Sequence, residues 1–217
     1  MITITAFKWV PPFAQGLVRD LRARWALNEI GEPYEVRLLG MGEHKQPAHL
    51  AHQPFGQVPT YEEDGLSLFE SGAMVLHIAE KKPGVLLPEN PDARARAITW
   101  MFAALNSVEP YVQTAAMFDV FADGMQNKSQ AKPALLDMVH DKLSKLSNHL
   151  GTRDYLEDGG FTAGDLLMSA TLRIGPEFVT PYPNLAAYRE RCEARPAFQK
   201  ALADQLAPFE KYAPAAA

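Results

Sequence analysis

The sequence has a single cysteine, Cys192, and no excess of basic residues. One cysteine cannot form a disulfide within the chain, which excludes a disulfide-stabilised fold and indicates a reducing compartment. Acidic residues number 26 against 21 Lys and Arg, which gives a net charge of −5. Because nucleic acid is bound by a basic surface, we expect no nucleic-acid partner.

Long hydrophobic runs are also missing. No apolar run approaches the about 20 residues that a bilayer-spanning helix needs. The first residues lack the basic region and apolar core of a signal peptide. The composition, with 47% hydrophobic and 22% charged residues, is that of an ordinary globular protein. We therefore expect a soluble, cytosolic (cytoplasmic) protein with no membrane partner.

The first third of the chain alternates strand-like and helix-like patterns. Apolar periodicity predicts strands over 3–9, 34–39, 58–62 and 66–69, and helices over 16–30, 47–51 and 71–81. Glu63-Asp64-Gly65 separates the last two strands and is typical of a hairpin. The order of strand, helix, strand, crossover, hairpin and helix predicts an α/β layer with a mixed sheet.

A proline-rich connector over 82–92 marks the predicted domain boundary, because closely spaced prolines oppose regular helix. Beyond it the strand patterns stop. Helical spacing of apolar residues predicts helices over 98–108, 136–150, 166–174, 184–194 and 197–206. The sequence therefore predicts a first domain over 1–82 and an all-α helical domain over 91–217.

The segment Pro54–Glu80 carries the most chemical information. Pro59 cannot donate a hydrogen bond to a sheet, so a cis Val58-Pro59 bond would leave the Val58 main chain to pair with an extended peptide. Glu70 and Ser71 lie where the hairpin meets a helix. The amides and dipole of a helix N-terminus attract a carboxylate, and the Glu70 carboxylate attracts an ammonium group.

Lys45 lies upstream of this segment and offers a point charge for a second carboxylate. Together these residues describe a groove for a short extended peptide that has an amino-acid head and a free carboxylate. Each residue alone has an ordinary explanation: Ser71 as a helix cap, Glu70 and Lys45 as solvated charges, and Pro59 as a turn proline. Their joint spacing favours the groove.

Gln57-Val58-Pro59, followed by the hairpin and by Glu-Ser-Gly-Ala, resembles the glutathione site of cytosolic glutathione transferases. The resemblance covers nearly the whole chain and includes segments 26–31, 45–56, 161–165 and 184–202. It implies a thioredoxin-like α/β first domain, an α-helical second domain and a homodimer. It also implies glutathione as co-substrate, with no metal.

The resemblance further implies individual roles. Val58, with Gln57 and Pro59, would bind the cysteinyl main chain, Glu70 and Ser71 the γ-glutamyl head, and Lys45 the glycine carboxylate. By its chemistry, the pattern from Thr162 to Asp165 is a helix capping box, so we assign it to folding rather than to catalysis.

One feature of the family is missing. Members place a Tyr, Ser or Cys after the first strand, where it stabilises the glutathione thiolate, but residues 9–19 contain no Tyr, Ser, Thr or Cys. Two substitutes are predicted: backbone N–H groups around Gly16 and Leu17, and the charge of Arg19, one turn into the first helix. Phe13 and Gln15 would line this pocket.

Two further arginines, Arg22 and Arg24, are interpreted as part of a solvated basic face. His44, His49 and His52 have no cysteine or acidic residue at metal-binding spacing, so we expect no zinc site.

The predicted function is conjugation of the glutathione thiolate to a small apolar (hydrophobic) electrophile. By the resemblance, its pocket is lined by Phe13, Phe102, Tyr111 and Phe118, although aromatic residues at helical spacing also form cores. One alternative is another glutathione-dependent reaction, such as peroxide reduction or isomerisation; disulfide exchange is disfavoured because the N-terminal loop has no cysteine. The other is a non-catalytic glutathione-binding or scaffold protein.

Overall fold

A computed structural model of the chain describes residues 1–121 and 128–214. The strands are β1 (Ile2–Phe7), β2 (Tyr34–Leu39), β3 (Tyr61–Glu63) and β4 (Leu66–Leu68). The helices are α1 (Asp20–Ile30), α2 (Pro47–Leu50), α3 (Ser71–Lys81), α4 (Pro91–Phe102), α5 (Glu109–Phe121), α6 (Lys128–Leu150), α7 (Ala163–Leu172), α8 (Pro176–Val179), α9 (Pro183–Glu193) and α10 (Pro196–Lys211). A π-helix, Ala103–Val108, joins α4 to α5.

The chain divides into two compact units. The first contains Met1–Leu86 and the segment that begins at Arg195; the second is Leu87–Ala194. Helix α10 belongs to the first unit because it packs on α1, where Trp25 meets Phe198 edge to face with ring centroids 4.8 Å apart. The predicted domain limits, 1–82 and 91–217, stay a prediction, and the packing of α10 is the feature that they do not describe.

The first unit is built on a four-stranded sheet in the order β2-β1-β3-β4. Strand β1 pairs in parallel with β2 and antiparallel with β3, and β3 pairs antiparallel with β4. Asp64 and Gly65 have φ angles of 48° and 87°, the left-handed values that a tight hairpin needs. The predicted mixed sheet and its hairpin are therefore confirmed.

Helix α1 begins at Asp20, four residues later than predicted. Pro12 opens a short 3-10 helix that ends at Ala14, and Gly16 follows with φ of 77°. A left-handed residue cannot continue an α-helix, so this stretch is a turn. The helix ends as predicted at Gly31, whose φ is 72°.

Other boundaries differ from prediction at the ends of elements. Strand β1 ends at Phe7 and β3 begins at Tyr61, so both strands are shorter than predicted. The predicted helix over 98–108 is the end of α4 and the π-helix, α6 and α10 are longer than predicted, and neither α5 nor the short α8 was predicted. Residues 122–127, between α5 and α6, lie outside the described residues.

The capping box of α7 is confirmed. The Asp165 carboxylate accepts the N–H of Thr162 at 2.9 Å and the Thr162 hydroxyl accepts the N–H of Gly164 at 3.2 Å. The carboxylate also accepts the Leu156 N–H and the Tyr188 hydroxyl. Burial raises the pKa of Asp165, and these donors act in the opposite direction. Asp165 therefore joins three segments of the second unit.

None of the helices in the described ranges combines the length and the apolarity needed to cross a membrane.

Candidate functional site

The main chain of Val58 is available for a ligand. Val58-Pro59 is a cis peptide, and Val58 itself is only 9% exposed. Sheet hydrogen bonding resumes at Thr60, whose N–H donates to the Thr5 hydroxyl at 2.7 Å and whose carbonyl accepts the Thr5 N–H. Within residues 1–121 and 128–214, neither the N–H nor the carbonyl of Val58 has a hydrogen-bond partner.

The peptide before Val58 is fixed by a residue that sequence reasoning missed. The buried His49 donates from Nε2 to the Gln57 carbonyl at 2.6 Å. The Gln57 side chain in turn accepts a longer, 3.4 Å bond from Gln53. The sequence marked His49 only as a histidine without metal-ligand neighbours. Its eight-residue distance from Gln57 is no known motif, so only the folded loop reveals the contact.

Lys45 is held beside the same segment. Gly56 has φ of 60°, and a Cβ placed on it would lie 2.9 Å from Lys45 Cδ. Glycine at position 56 therefore both permits the turn and lets the aliphatic stem of Lys45 pass. Lys45 is exposed and forms no ion pair with any described residue. Its ammonium group is thus a cation with no ion-pair partner among the described residues, and its stem passes Gly56, which lies two residues before Val58 in sequence.

The N-terminus of α3 is open to an anion. Glu70 precedes the helix with φ of 69° and ψ of 112°, and no side chain caps the first amides. Such a backbone conformation costs a non-glycine residue about 1–3 kcal/mol and is concentrated at functional sites. The Glu70 side chain is exposed, and its carboxylate pairs with no described cation.

Arg22 lies behind Ser71 rather than in solvent, so the interpretation of Arg22 as part of a solvated basic face is wrong. It is 4% exposed, and its Nη1 donates to the Ser71 hydroxyl oxygen at 3.1 Å. Ser71 is the first residue of α3 and does not cap the helix. At this helix N-terminus lie the Arg22 guanidinium, the Ser71 hydroxyl and the Glu70 carboxylate. We call these three residues the α3 anion pocket.

Arg24 is also buried, and the same interpretation is wrong for it. Arg24 is 2% exposed and Asp20 is fully buried. Arg24 Nε donates to the Asp20 carboxylate at 2.7 Å. Burial raises the pKa of Asp20, and the bond from Arg24 opposes that shift. The Arg24 charge is therefore paired with Asp20 inside the first unit.

The α1 turn, residues Gly16–Arg19, corrects part of the predicted sulfur site. The Leu17 N–H already donates to the Ala14 carbonyl at 3.1 Å, so Leu17 is not an available donor. Arg19 is the residue before the first residue of α1 and is half-buried, whereas the sequence placed it one turn inside the helix. Gly16 is buried. The roles proposed for Gly16 and Arg19 stay predictions.

The predicted pocket residues lie in both units. In the first unit, Phe13 is 65% exposed, and the Gln15 side chain donates to the Val10 carbonyl. In the second unit, Phe102 is 57% exposed at the end of α4. Tyr111 and Phe118 are half-buried on α5, and the Lys142 ammonium lies 5.0 Å from the centre of the Tyr111 ring. Their role toward a second substrate stays a prediction.

The described part of the chain has no group of three or more His, Cys, Asp or Glu side chains placed to hold a metal ion.

Comparison with known proteins agrees with this arrangement. The family model "Glutathione S-transferase, N-terminal domain" matches residues 13–80, and "Glutathione S-transferase, C-terminal domain" matches residues 98–196. The chain is 30% identical over 200 residues to maleylacetoacetate isomerase of Rhizobium meliloti, covering 86% of this chain and 92% of the relative. It is 31% identical over 193 residues to glutathione S-transferase 4 of Zea mays, covering 82% and 85%.

The structure of glutathione transferase F7 from Populus trichocarpa superposes with a TM-score of 0.79 at 26% identity, over 95% of this chain and 99% of that one. The predicted thioredoxin-like α/β fold and the mostly helical second half are thereby confirmed. The resemblance that the Val58-Pro59 and Glu70-Ser71 segments indicated is also confirmed at the level of the family. The chain belongs to the glutathione S-transferase family.

Proposed function

We propose that this protein binds glutathione in its first unit and conjugates the glutathione thiolate to a small apolar electrophile. The observation that carries the proposal is the α3 anion pocket. Because Arg22 donates to the Ser71 oxygen, the Ser71 hydrogen is left to donate to an incoming carboxylate. The helix dipole and the Arg22 charge favour the same anion, and the Glu70 carboxylate favours the adjacent ammonium. These are the two charges of a γ-glutamyl head.

The remaining parts of glutathione match groups along the loop. The unpaired N–H and carbonyl of Val58 suit the cysteinyl main chain, as one step of β-pairing. The unpaired Lys45 ammonium suits the glycine carboxylate. Gln57, held by His49, and Pro59 flank this segment. Glutathione is therefore the proposed co-substrate.

The proposed reaction needs no metal. The thiol proton passes to solvent, the sulfur electron pair forms a C–S bond, and the leaving group departs from the electrophile with its electrons. A free thiol of pKa ~8.5 is mostly protonated at neutral pH, so the enzyme contributes by lowering that pKa and by orienting the reactants. In this chain, Gly16 and Arg19 of the α1 turn are the proposed sulfur-activating residues, with Phe13 beside them.

The test is an ultraviolet difference titration of the protein with glutathione across pH. We expect a thiolate band to appear well below the pKa of the free thiol, with S-methylglutathione as a control that binds without the band. A conjugation assay with an activated aryl chloride then measures turnover. Binding without the band would contradict the transferase proposal, and absence of binding would contradict the site itself.

Arg19→Ala tests the proposed arginine role separately. Removing a nearby positive charge should raise the pKa of the bound thiol, so the midpoint of the thiolate band should move to higher pH. An unchanged midpoint would exclude Arg19 as the sulfur-activating group.

Isomerisation is the second candidate, favoured by the 30% identity to a protein named maleylacetoacetate isomerase. The two reactions differ in what happens to glutathione: conjugation consumes one molecule per turnover, whereas isomerisation returns it. Counting free thiol while the protein acts on a cis-alkene diacid therefore separates them. The peroxide-reduction and scaffold alternatives predict, respectively, oxidised glutathione and no turnover.

We further propose a cytoplasmic homodimer. The first unit exposes Phe55 (64%), Phe69 (37%) and Leu66 (41%), and the two phenylalanine rings lie 6.1 Å apart. Exposed apolar side chains of this size support an association surface. Sedimentation equilibrium should give twice the chain mass, and a monomer at all concentrations would contradict this proposal.

A further inference from the structure

Gln205 connects the C-terminal helix α10 to the α1 turn. Its side-chain Nε2 donates to the Val18 carbonyl at 3.0 Å and to the Asp20 carboxylate at 2.6 Å. The residue is 1% exposed and lies 187 positions from Val18 in sequence. Both hydrogen-bond acceptors flank Arg19, so the contact is directed at the turn and not at the body of α1.

This connection differs from ordinary helix packing. Trp25 against Phe198, and the 3.2 Å bond from the Asn28 side chain to the Ala197 carbonyl, already join α1 to α10 further along. Gln205 adds contacts at the turn and at Asp20, the first residue of α1. It does so while its own Oε1 is buried without a hydrogen-bond partner among the described residues. An unpaired buried acceptor is unfavourable, so packing alone would favour an apolar side chain here.

The contact fixes the backbone at Val18. The Val18 carbonyl accepts both Gln205 Nε2 and the Leu21 N–H, the latter at 3.1 Å. Two donors on one carbonyl oxygen restrict rotation of the Val18-Arg19 peptide plane, which adjoins the Leu17-Val18 plane at the Val18 Cα. On the N-terminal side of the same half-buried residue, the Val18 N–H has no acceptor within the described ranges, whereas the Leu17 N–H is occupied by Ala14. Val18 therefore presents a backbone donor directly next to a held peptide plane, in the segment that lacks a hydroxyl or thiol.

We propose that the Val18 N–H is a thiolate hydrogen-bond donor and that Gln205 is the positioning residue that holds it in place. This inference rests on the proposed function, because it assumes that glutathione places its sulfur at the α1 turn. It extends that function by assigning thiolate stabilisation partly to the backbone, directed by a helix from the far end of the chain. A backbone amide supplies what a side-chain hydroxyl would otherwise supply.

The first experiment compares Gln205→Met with Asn28→Ala. Methionine keeps similar length but removes both donors, whereas Asn28→Ala removes one α1–α10 bond away from the turn. For Gln205→Met we expect the bound thiol pKa to rise by about one unit, which is tenfold less thiolate below that pKa. The dissociation constant of S-methylglutathione should stay within about twofold. Asn28→Ala should leave the thiol pKa unchanged.

The second experiment uses the unmodified protein, so it does not depend on any variant folding. Leu17-Val18 is the sole Leu-Val pair in the sequence. Labelling leucine with carbonyl ¹³C and valine with ¹⁵N therefore isolates the Val18 amide resonance by NMR. With glutathione bound, this resonance should shift with pH in step with the ultraviolet thiolate band, and with S-methylglutathione it should not.

The outcomes separate this inference from the proposed function. If wild-type protein binds neither glutathione nor S-methylglutathione, the proposed function fails. If the thiolate band forms but the Val18 amide resonance does not shift with pH in step with it, the amide role is overturned. If Gln205→Met and Asn28→Ala shift the thiol pKa equally, Gln205 is merely a packing residue and its positioning role is overturned.

Discussion

The α3 anion pocket and the α1 turn lie in the same unit but are constructed in different ways. In the pocket, Glu70 and Ser71 are adjacent in sequence and are placed by a hairpin running into a helix; only Arg22 comes from elsewhere. The α1 turn contains no Tyr, Ser, Thr or Cys, and its Val18 carbonyl and the following Asp20 carboxylate are held by Gln205 from α10. One region is a local motif, and the other depends on tertiary packing.

This difference teaches where a sequence motif is informative. A helix N-terminus brings its own amides and dipole, so two residues suffice to indicate an anion site. A backbone donor has no side-chain signature, because every residue except proline carries one. A site that relies on main-chain groups is therefore visible only through the residues that hold the main chain, and these can be distant.

The largest expected effect is a loss of stability when Asp20, the carboxylate next to the α1 turn, is removed. Asp20→Ala leaves Arg24 buried without its carboxylate, and loss of one partner of a buried pair costs about 3–5 kcal/mol. Urea denaturation should show the loss in free energy of unfolding. Lys200→Ala is the matched control, because it breaks an exposed pair with Asp204 on α10 and should cost no more than about 1 kcal/mol. Equal losses in free energy of unfolding would mean that the buried pair stabilises the protein no more than the exposed pair does.

The next largest effect is a loss of glutathione affinity when Arg22 is removed from the α3 anion pocket. Arg22→Met removes the bond to Ser71 and a buried charge, so glutathione affinity should fall by about 2 kcal/mol, or roughly 30-fold, by calorimetry. The matched ligand is γ-aminobutyryl-cysteinyl-glycine, which lacks the α-carboxylate of the head. Its affinity should barely change in the variant. If both ligands weakened alike, Arg22 would be supporting the fold rather than the anion.

A smaller effect concerns Glu70, where one substitution should raise the stability and lower the glutathione affinity. Glu70→Gly relieves the positive φ of 69°, so the free energy of unfolding should rise by about 1 kcal/mol. The same change removes the proposed ammonium partner, so glutathione affinity should fall about tenfold. Glu70→Gln, which keeps the backbone strain, serves as the control for the stability gain. A loss of stability in Glu70→Gly would refute the assignment of strain to the site.

The smallest effect concerns a carboxylate outside both regions. Glu63 on the hairpin accepts bonds from Lys81 and from the Tyr61 hydroxyl, and these lower its pKa. Because the native pKa lies below the unfolded value, the unfolded chain binds more protons in acid, and stability falls as pH drops from about 5 toward the native pKa. With solvent screening, this contribution should be about 0.5 kcal/mol or less.

Glu63→Gln should therefore flatten the acid limb of Tm against pH and leave glutathione affinity at neutral pH unchanged. A change in affinity would show that the hairpin communicates with the α3 anion pocket, which would remove the contrast between local and distant control.

Much of the fold could be predicted because its signals are short in range. The strand Tyr34–Leu39 and the helix Ser71–Lys81 begin and end where their patterns indicated. The capping box at Thr162 needs only residues three positions apart. The start of α1 was predicted wrongly because apolar spacing continues through a turn that Gly16 creates by its backbone angle, which spacing does not record.

The sequence by itself determined the family resemblance, the mixed sheet and the Val58-Pro59 and Glu70-Ser71 segments, because each depends on neighbouring residues. Only the tertiary structure decided that Arg22 and Arg24 are buried, that His49 holds Gln57, and that Gln205 holds the α1 turn. Charged and polar side chains look solvated in sequence. Whether one is buried depends on a partner that satisfies it, and folding brings that partner from up to 187 residues away.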